Sequence, residues 1–91
     1  MRRLVYSISY DLNKPGQDYP SLYEKIKNLG SWCHPLDSTW LVQTNLTAEN
    51  IRDRLLRVMD NSDSLIVTRA SVPAAWYGLD DKVNTWLKNN L

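Results

Sequence analysis

Bulky and small side chains alternate at the start of the chain. Leu4, Tyr6, Ile8 and Tyr10 interleave with Val5, Ser7, Ser9 and Asp11, and Leu12 adds one more apolar position. A period of two predicts a strand with one bulky face and one small, polar face. Asn13-Lys14-Pro15-Gly16 then supplies turn chemistry, with Pro15-Gly16 suited to the centre of a type II turn. The period changes next. Leu22, Ile26 and Leu29 fall at i, i+4 and i+7, which is one stripe of a helix. Ser21-x-x-Glu24 has the spacing of a capping box, Asp18 and Pro20 offer an earlier start, and Gly30 suits the C-terminal cap.

Residues 31–44 carry Trp32, Leu36, Trp40, Leu41 and Val42 around the polar pair Asp37-Ser38, which predicts a β-hairpin. Pro35 has no N–H to give, so the first of its strands belongs at a sheet edge or is irregular. Thr47 opens a second helix through Ile51, Leu55, Val58 and Met59, and Asn61-Ser62-Asp63 ends it. Leu65, Ile66 and Val67 form the last strand. After Gly78, the positions Leu79, Val83, Trp86 and Leu87 predict a third helix over 79–90, with Asp80 and Asp81 at its positive end.

The order is strand, helix, strand, strand, helix, strand, helix. This is the split βαβ arrangement, an α+β ferredoxin-like βαββαβ sandwich with an additional C-terminal helix, read as a single domain over 1–91. Right-handed crossovers put the first two helices on one face of the sheet. The bulky side of the first strand then meets them, and Val5, Ser7, Ser9 and Asp11 face away, toward a side expected to be free of helices.

Composition adds exclusions. Eleven Lys and Arg against ten Asp and Glu leave almost no net charge, so bulk charge makes no case for nucleic acid. One cysteine, Cys33, rules out a disulfide within the chain and fits a reducing, cytoplasmic setting. No stretch reaches the length of a membrane span, and no signal-peptide pattern follows Met1. Three glycines form no phosphate-cradling loop. The ferredoxin-like RNA-recognition signature, rich in rings on its third strand, has one ring here, Trp40.

Asp11 is the strongest candidate for chemistry. A carboxylate at the end of a central strand, on the open face, can hold a magnesium ion that keeps several of its waters. A two-fold homodimer would bring a second Asp11 to the same axis. The same residue type also caps turns at strand ends. Ser7, Ser9 and Ser38 place hydroxyls where they can line a phosphate path, although Ser38 also suits the hairpin turn. Cys33 and His34 are neighbours in a strand and point to opposite sides, so they do not share a metal. Arg54 and Arg57 read as a solvated helix face, with a phosphate contact as the alternative, and Trp40 suits either the core or a base stack.

Tyr10-Asp11 after an alternating strand, Ser38-Thr39-Trp40-Leu41-Val42 after the glycine that follows helix one, and Asp63-Ser64-Leu65-Ile66-Val67 occur in that order. Together they resemble the small CRISPR-associated endonuclease family Cas-two and its toxin relative VapD, over residues 4–71. The runs Tyr10-Asp11-Leu12-Asn13-Lys14-Pro15-Gly16 and His34-Pro35-Leu36-Asp37-Ser38-Thr39-Trp40 are similar to those of SinR-like, Cas-two-like small proteins of bacteria and phages. The resemblance implies a homodimer with a metal-bound Asp11 pair at its interface. It also implies cleavage of RNA or DNA phosphodiesters, or a structural role in an integration complex. The chain departs from the family pattern in lacking arginines near the start of helix one, where Lys14 and Lys25 are the nearest cations. Its tail is a helix where Cas-two proteins often have a strand that pairs with the partner. A non-enzymatic alternative stays open: a protein-interaction or RNA-binding module of a toxin–antitoxin or phage-defence pair, using the open sheet face with Trp76-Tyr77, or Trp40 with a first-strand tyrosine.

Overall fold

The structure is a computed structural model that describes residues 3–14 and 19–91. Its first strand, β1 (Leu4–Asp11), runs antiparallel to both of its neighbours, β3 (Thr39–Thr44) and β4 (Ser64–Ala70). With β2 (Ser31–Leu36) the sheet order is β2-β3-β1-β4, so β2 and β4 are its edges. The helices are α1 (Tyr19–Lys27), α2 (Ala48–Leu56) and α3 (Asp81–Asn90). The fold is therefore the expected ferredoxin-like α+β arrangement with a C-terminal helix. No helix among the described residues is long and apolar enough to cross a membrane.

The alternation of β1 sorts its two faces. Tyr6, Ile8 and Tyr10 join Trp40 and Val42 of β3 against Leu22 and Ile26 of α1 and Ile51 and Leu55 of α2. Ile8, Leu22, Ile26, Ile51, Leu55 and Val42 are fully buried. Each such side chain contributes about 1.5–3 kcal/mol by leaving water. The rings of this core bring polar atoms inside, and among the described residues no buried side-chain N or O lacks a partner.

The opposite face is not free of helices. Cys33 of β2 is buried with Val83 and Leu87 of α3, and Leu41, Leu79, Trp86 and Leu91 pack around them. The amphipathic stripe of α3 covers the β2–β3 half of the sheet's second face, and the β1–β4 half stays open around Ser9, Asp11 and Ile66.

Thr47 and Asp80 cap α2 and α3 as their residue types predict, accepting from the amides of Asn50 at 3.1 Å and Val83 at 2.9 Å. The start of α1 differs. It begins at Tyr19, so Ser21 lies inside the helix rather than at its cap; Asp18 and the Pro15-Gly16 turn lie outside the described residues. Helix α2 closes at Leu56, earlier than its apolar stripe indicates, and β4 is longer than its Leu65–Val67 centre.

Gly30 is needed for space. It does not take the positive φ of a helix-ending glycine, but a Cβ there would run into the backbone carbonyl of Gln43 in β3. Gly78 is the described glycine with a left-handed backbone, at φ 78°, in the segment that leads from β4 into α3.

The two edges are built differently. β2 carries Pro35 and a break in register between Cys33 and Leu36. β4 has neither, and its outer side pairs with no described strand.

Candidate functional site

Asp11 closes β1 opposite Ser64 of β4 and is exposed. It shares an open depression of about 230 Å³ with Ser9, Ser64 and Ile66. Its carboxylate has no hydrogen bond or ion pair with any described residue. Two acidic residues of the neighbouring α2–β4 connection are, by contrast, fully engaged. Asp63 accepts from the Asn13 amide at 2.8 Å and the Tyr19 hydroxyl at 2.8 Å through Oδ1, and from the Asp60 amide at 2.9 Å through Oδ2. Asp60 accepts from the Ser62 hydroxyl at 2.6 Å and amide at 2.9 Å and pairs with Lys14 at 3.3 Å.

These contacts set the charges. The Ser62 hydroxyl and amide, helped by Lys14, hold the Asp60 carboxyl down at about 2. Partial burial pushes Asp63 up, but the amides of Asn13 and Asp60 and the Tyr19 hydroxyl outweigh it, so its net shift is downward. The Tyr19 hydroxyl is raised, by desolvation first and then by its hydrogen bond to Asp63. This polar knot ties the chain just after Asp11 to the loop just before β4. It spends both carboxylates and Lys14, the cation nearest to Asp11 in sequence, on holding that geometry. No group of three or more His, Cys, Asp or Glu suited to a metal occurs among the described residues.

The other candidates separate. Ser9 stays with Asp11, its hydroxyl 3.0 Å from that of Thr39. Ser38 lies in the β2–β3 turn, where its carbonyl accepts from the Tyr10 amide at 3.1 Å and so sits beside the end of β1. Ser7 lies apart from the Asp11 depression, in a larger groove of about 540 Å³ with Leu41, Arg69, Trp76 and Tyr77.

Cys33 and His34 point to opposite sides. Burial pushes the Cys33 thiol up to about 11, which makes it a poor nucleophile. The His34 ring lies flat against Trp40, with centroids 3.8 Å apart and planes 10° from parallel, and its Nε2 is 3.1 Å from the Asp37 carbonyl. Trp40 is 2% exposed and Tyr6 and Tyr10 are buried, so none of these rings is available to a base. Trp32 and Trp86, expected only as hairpin and helix-stripe positions, reach solvent beside β2. The signal was in the chain: a Trp on a strand marked as an edge by Pro35 has no second neighbour strand to cover it.

No family model matches the chain. Among solved structures it is similar to the hypothetical protein TT1823 from Thermus thermophilus, with a TM-score of 0.67 at 20% identity over 86% of this chain and 94% of that one. Identity at that level carries the fold alone.

Proposed function

We propose that this protein is a magnesium-dependent endonuclease of the Cas-two/VapD-like type, cleaving RNA or DNA phosphodiesters as a homodimer in the cytoplasm. One observation carries the reading: at the end of the central strand, Asp11 keeps an exposed carboxylate uncommitted, while Asp60 and Asp63 beside it are consumed by structural bonds. A carboxylate from each of two copies would suit magnesium, which takes one or two carboxylates and retains several waters. Asp11 of each copy would hold the ion, which when bound supplies charge for the phosphoryl oxygens and acidifies a water. The hydroxyls of Ser9 and Ser38 contact the sugar-phosphate backbone, which carries no sequence preference. The polar knot fixes the chain after Asp11, so the carboxylate needs little reorganisation.

A second reading has its own support. Leu36, Ile66, Val72, Trp76 and Tyr77 are large apolar residues left exposed, Tyr77 at 98%. Such a surface suits a non-enzymatic module with a protein partner, as in a toxin–antitoxin or phage-defence pair.

The deciding experiment incubates wild type and Asp11→Ala, both checked for folding and for mass in solution, with labelled RNA and DNA in magnesium or chelator. Cleavage that requires magnesium and Asp11 is expected. A folded dimer that cleaves neither polymer moves the assignment to the second reading, and cleavage that survives Asp11→Ala removes Asp11 from the site.

A further inference from the structure

A cleft of about 330 Å³ lies between the outer edge of β2 and the start of α3, lined by Trp32, Cys33, His34, Lys82 and Trp86 with Asp80 at its end. Its rings are held in place. Trp86 donates its indole N–H to the Ser31 hydroxyl at 2.9 Å, and His34 is stacked on Trp40. Trp32, 39% exposed, packs its ring 5.3 Å from that of Trp40, and the Lys27 ammonium stands 5.3 Å from its centroid. Lys82 is exposed and pairs with no carboxylate among the described residues, whereas Asp80 is engaged as the α3 cap. The floor offers no nucleophile, since the Cys33 thiol is buried.

Fixed aromatic surfaces beside an unpaired ammonium are what a single nucleic-acid strand needs. Bases stack on rings whatever their identity, and the phosphate takes the cation. A peptide laid along the same edge meets poor terms. Pro35 offers no N–H, and the ladder is already irregular between Cys33 and Leu36. We propose that this cleft binds single-stranded nucleic acid, taking a base against its indole rings and a phosphate on Lys82. The site needs neither Asp11 nor a metal, and it lies toward the opposite edge of the sheet from the β1–β4 depression. It would hold a strand outside any reaction centre.

The test is fluorescence anisotropy of short labelled uridylate and thymidylate homopolymers in chelator, which stops metal-dependent cleavage. Wild type is compared with Trp32→Leu, Lys82→Ala and Lys82→Arg, each checked for folding by near-ultraviolet circular dichroism. Trp32→Leu is expected to weaken binding by about tenfold. Lys82→Ala is expected to weaken it by about threefold and lower the salt slope by about one, with Lys82→Arg restoring both. Should Trp32→Leu fail to fold, the exposed Lys82 pair decides. Absence of binding by wild type, affinity unchanged in the folded variants, or equal affinity for a duplex would overturn the proposal. Because cleavage is not measured, this outcome is independent of whether Asp11 supports a nuclease.

Discussion

The indole N–H of Trp40 donates to the Tyr10 hydroxyl at 2.9 Å, inside the core between the sheet and α1. The hydroxyl in turn reaches the Asp37 carbonyl at 3.4 Å, and burial raises its pKa. Two rings that would each strand a polar atom thus answer one another. Tyr10→Phe leaves the indole N–H bare and is expected to cost about 1–3 kcal/mol. Adding Trp40→Phe removes the orphaned donor. The double variant should therefore lose less than the two single losses summed, measured as a cycle in urea. Strict additivity would show that the bond contributes nothing beyond packing.

Gly30 and Gly78 separate two reasons for glycine. A Cβ at Gly30 meets the Gln43 carbonyl, whereas a Cβ at Gly78 meets nothing and suffers only from the positive φ. Gly30→Ala must push β3 away from the end of α1, and a loss of about 1–3 kcal/mol is expected for such overpacking. Gly78→Ala is expected to cost about 1–2 kcal/mol of backbone strain. Amide chemical shifts distinguish them: Gly30→Ala should move β2 and β3, and Gly78→Ala should leave the sheet unmoved. Unmoved β3 shifts in Gly30→Ala would refute the steric account.

The polar knot has a pH signature. The folded Asp60 carboxyl sits at about 2 against an ordinary 3.8. Its contribution is therefore complete above the ordinary value and disappears as pH falls through about 2. The Ser62 amide, which donates to Asp60, should lose its protection against exchange over that acid window while the β1–β3 ladder stays protected. At neutral pH, Asp63→Asn should speed exchange at Asp60, because the side-chain amide nitrogen cannot accept from the Asp60 N–H. Exchange that tracks the sheet at every pH would mean that the knot does not open on its own.

Much of the fold was legible in the sequence because β1 segregates its side chains so sharply. Tyr6, Ile8 and Tyr10 could only go to the helices, which left Asp11 on the other face. Thr47 and Asp80 were readable as caps because capping is local chemistry. Pro35 announced the β2 edge for the same reason. Ser21 misled because the capping-box spacing is present, while the helix has already begun at Tyr19, whose ring packs on the core and whose hydroxyl meets Asp63. The need for Gly30 comes from a residue thirteen positions away, and the Asp63 bonds to Tyr19 and Asn13 span forty-four and fifty positions, so no local pattern encodes them. The stripe of α3 told that it must pack somewhere, but not on which face. The alternation of β1 places Asp11 and Ser9 in one depression, but it does not reveal that Ser7, on the same face, lines another groove on the α3 side of the molecule.

The unequal edges of the sheet limit how it can grow. A proline and a broken register guard β2, while β4 offers an unguarded row of backbone groups. Endless stacking of sheets side by side needs two receptive edges on every copy, and the described residues present one. Two copies paired along β4 would leave the guarded β2 edges outermost, so such pairing would not run on into a fibre.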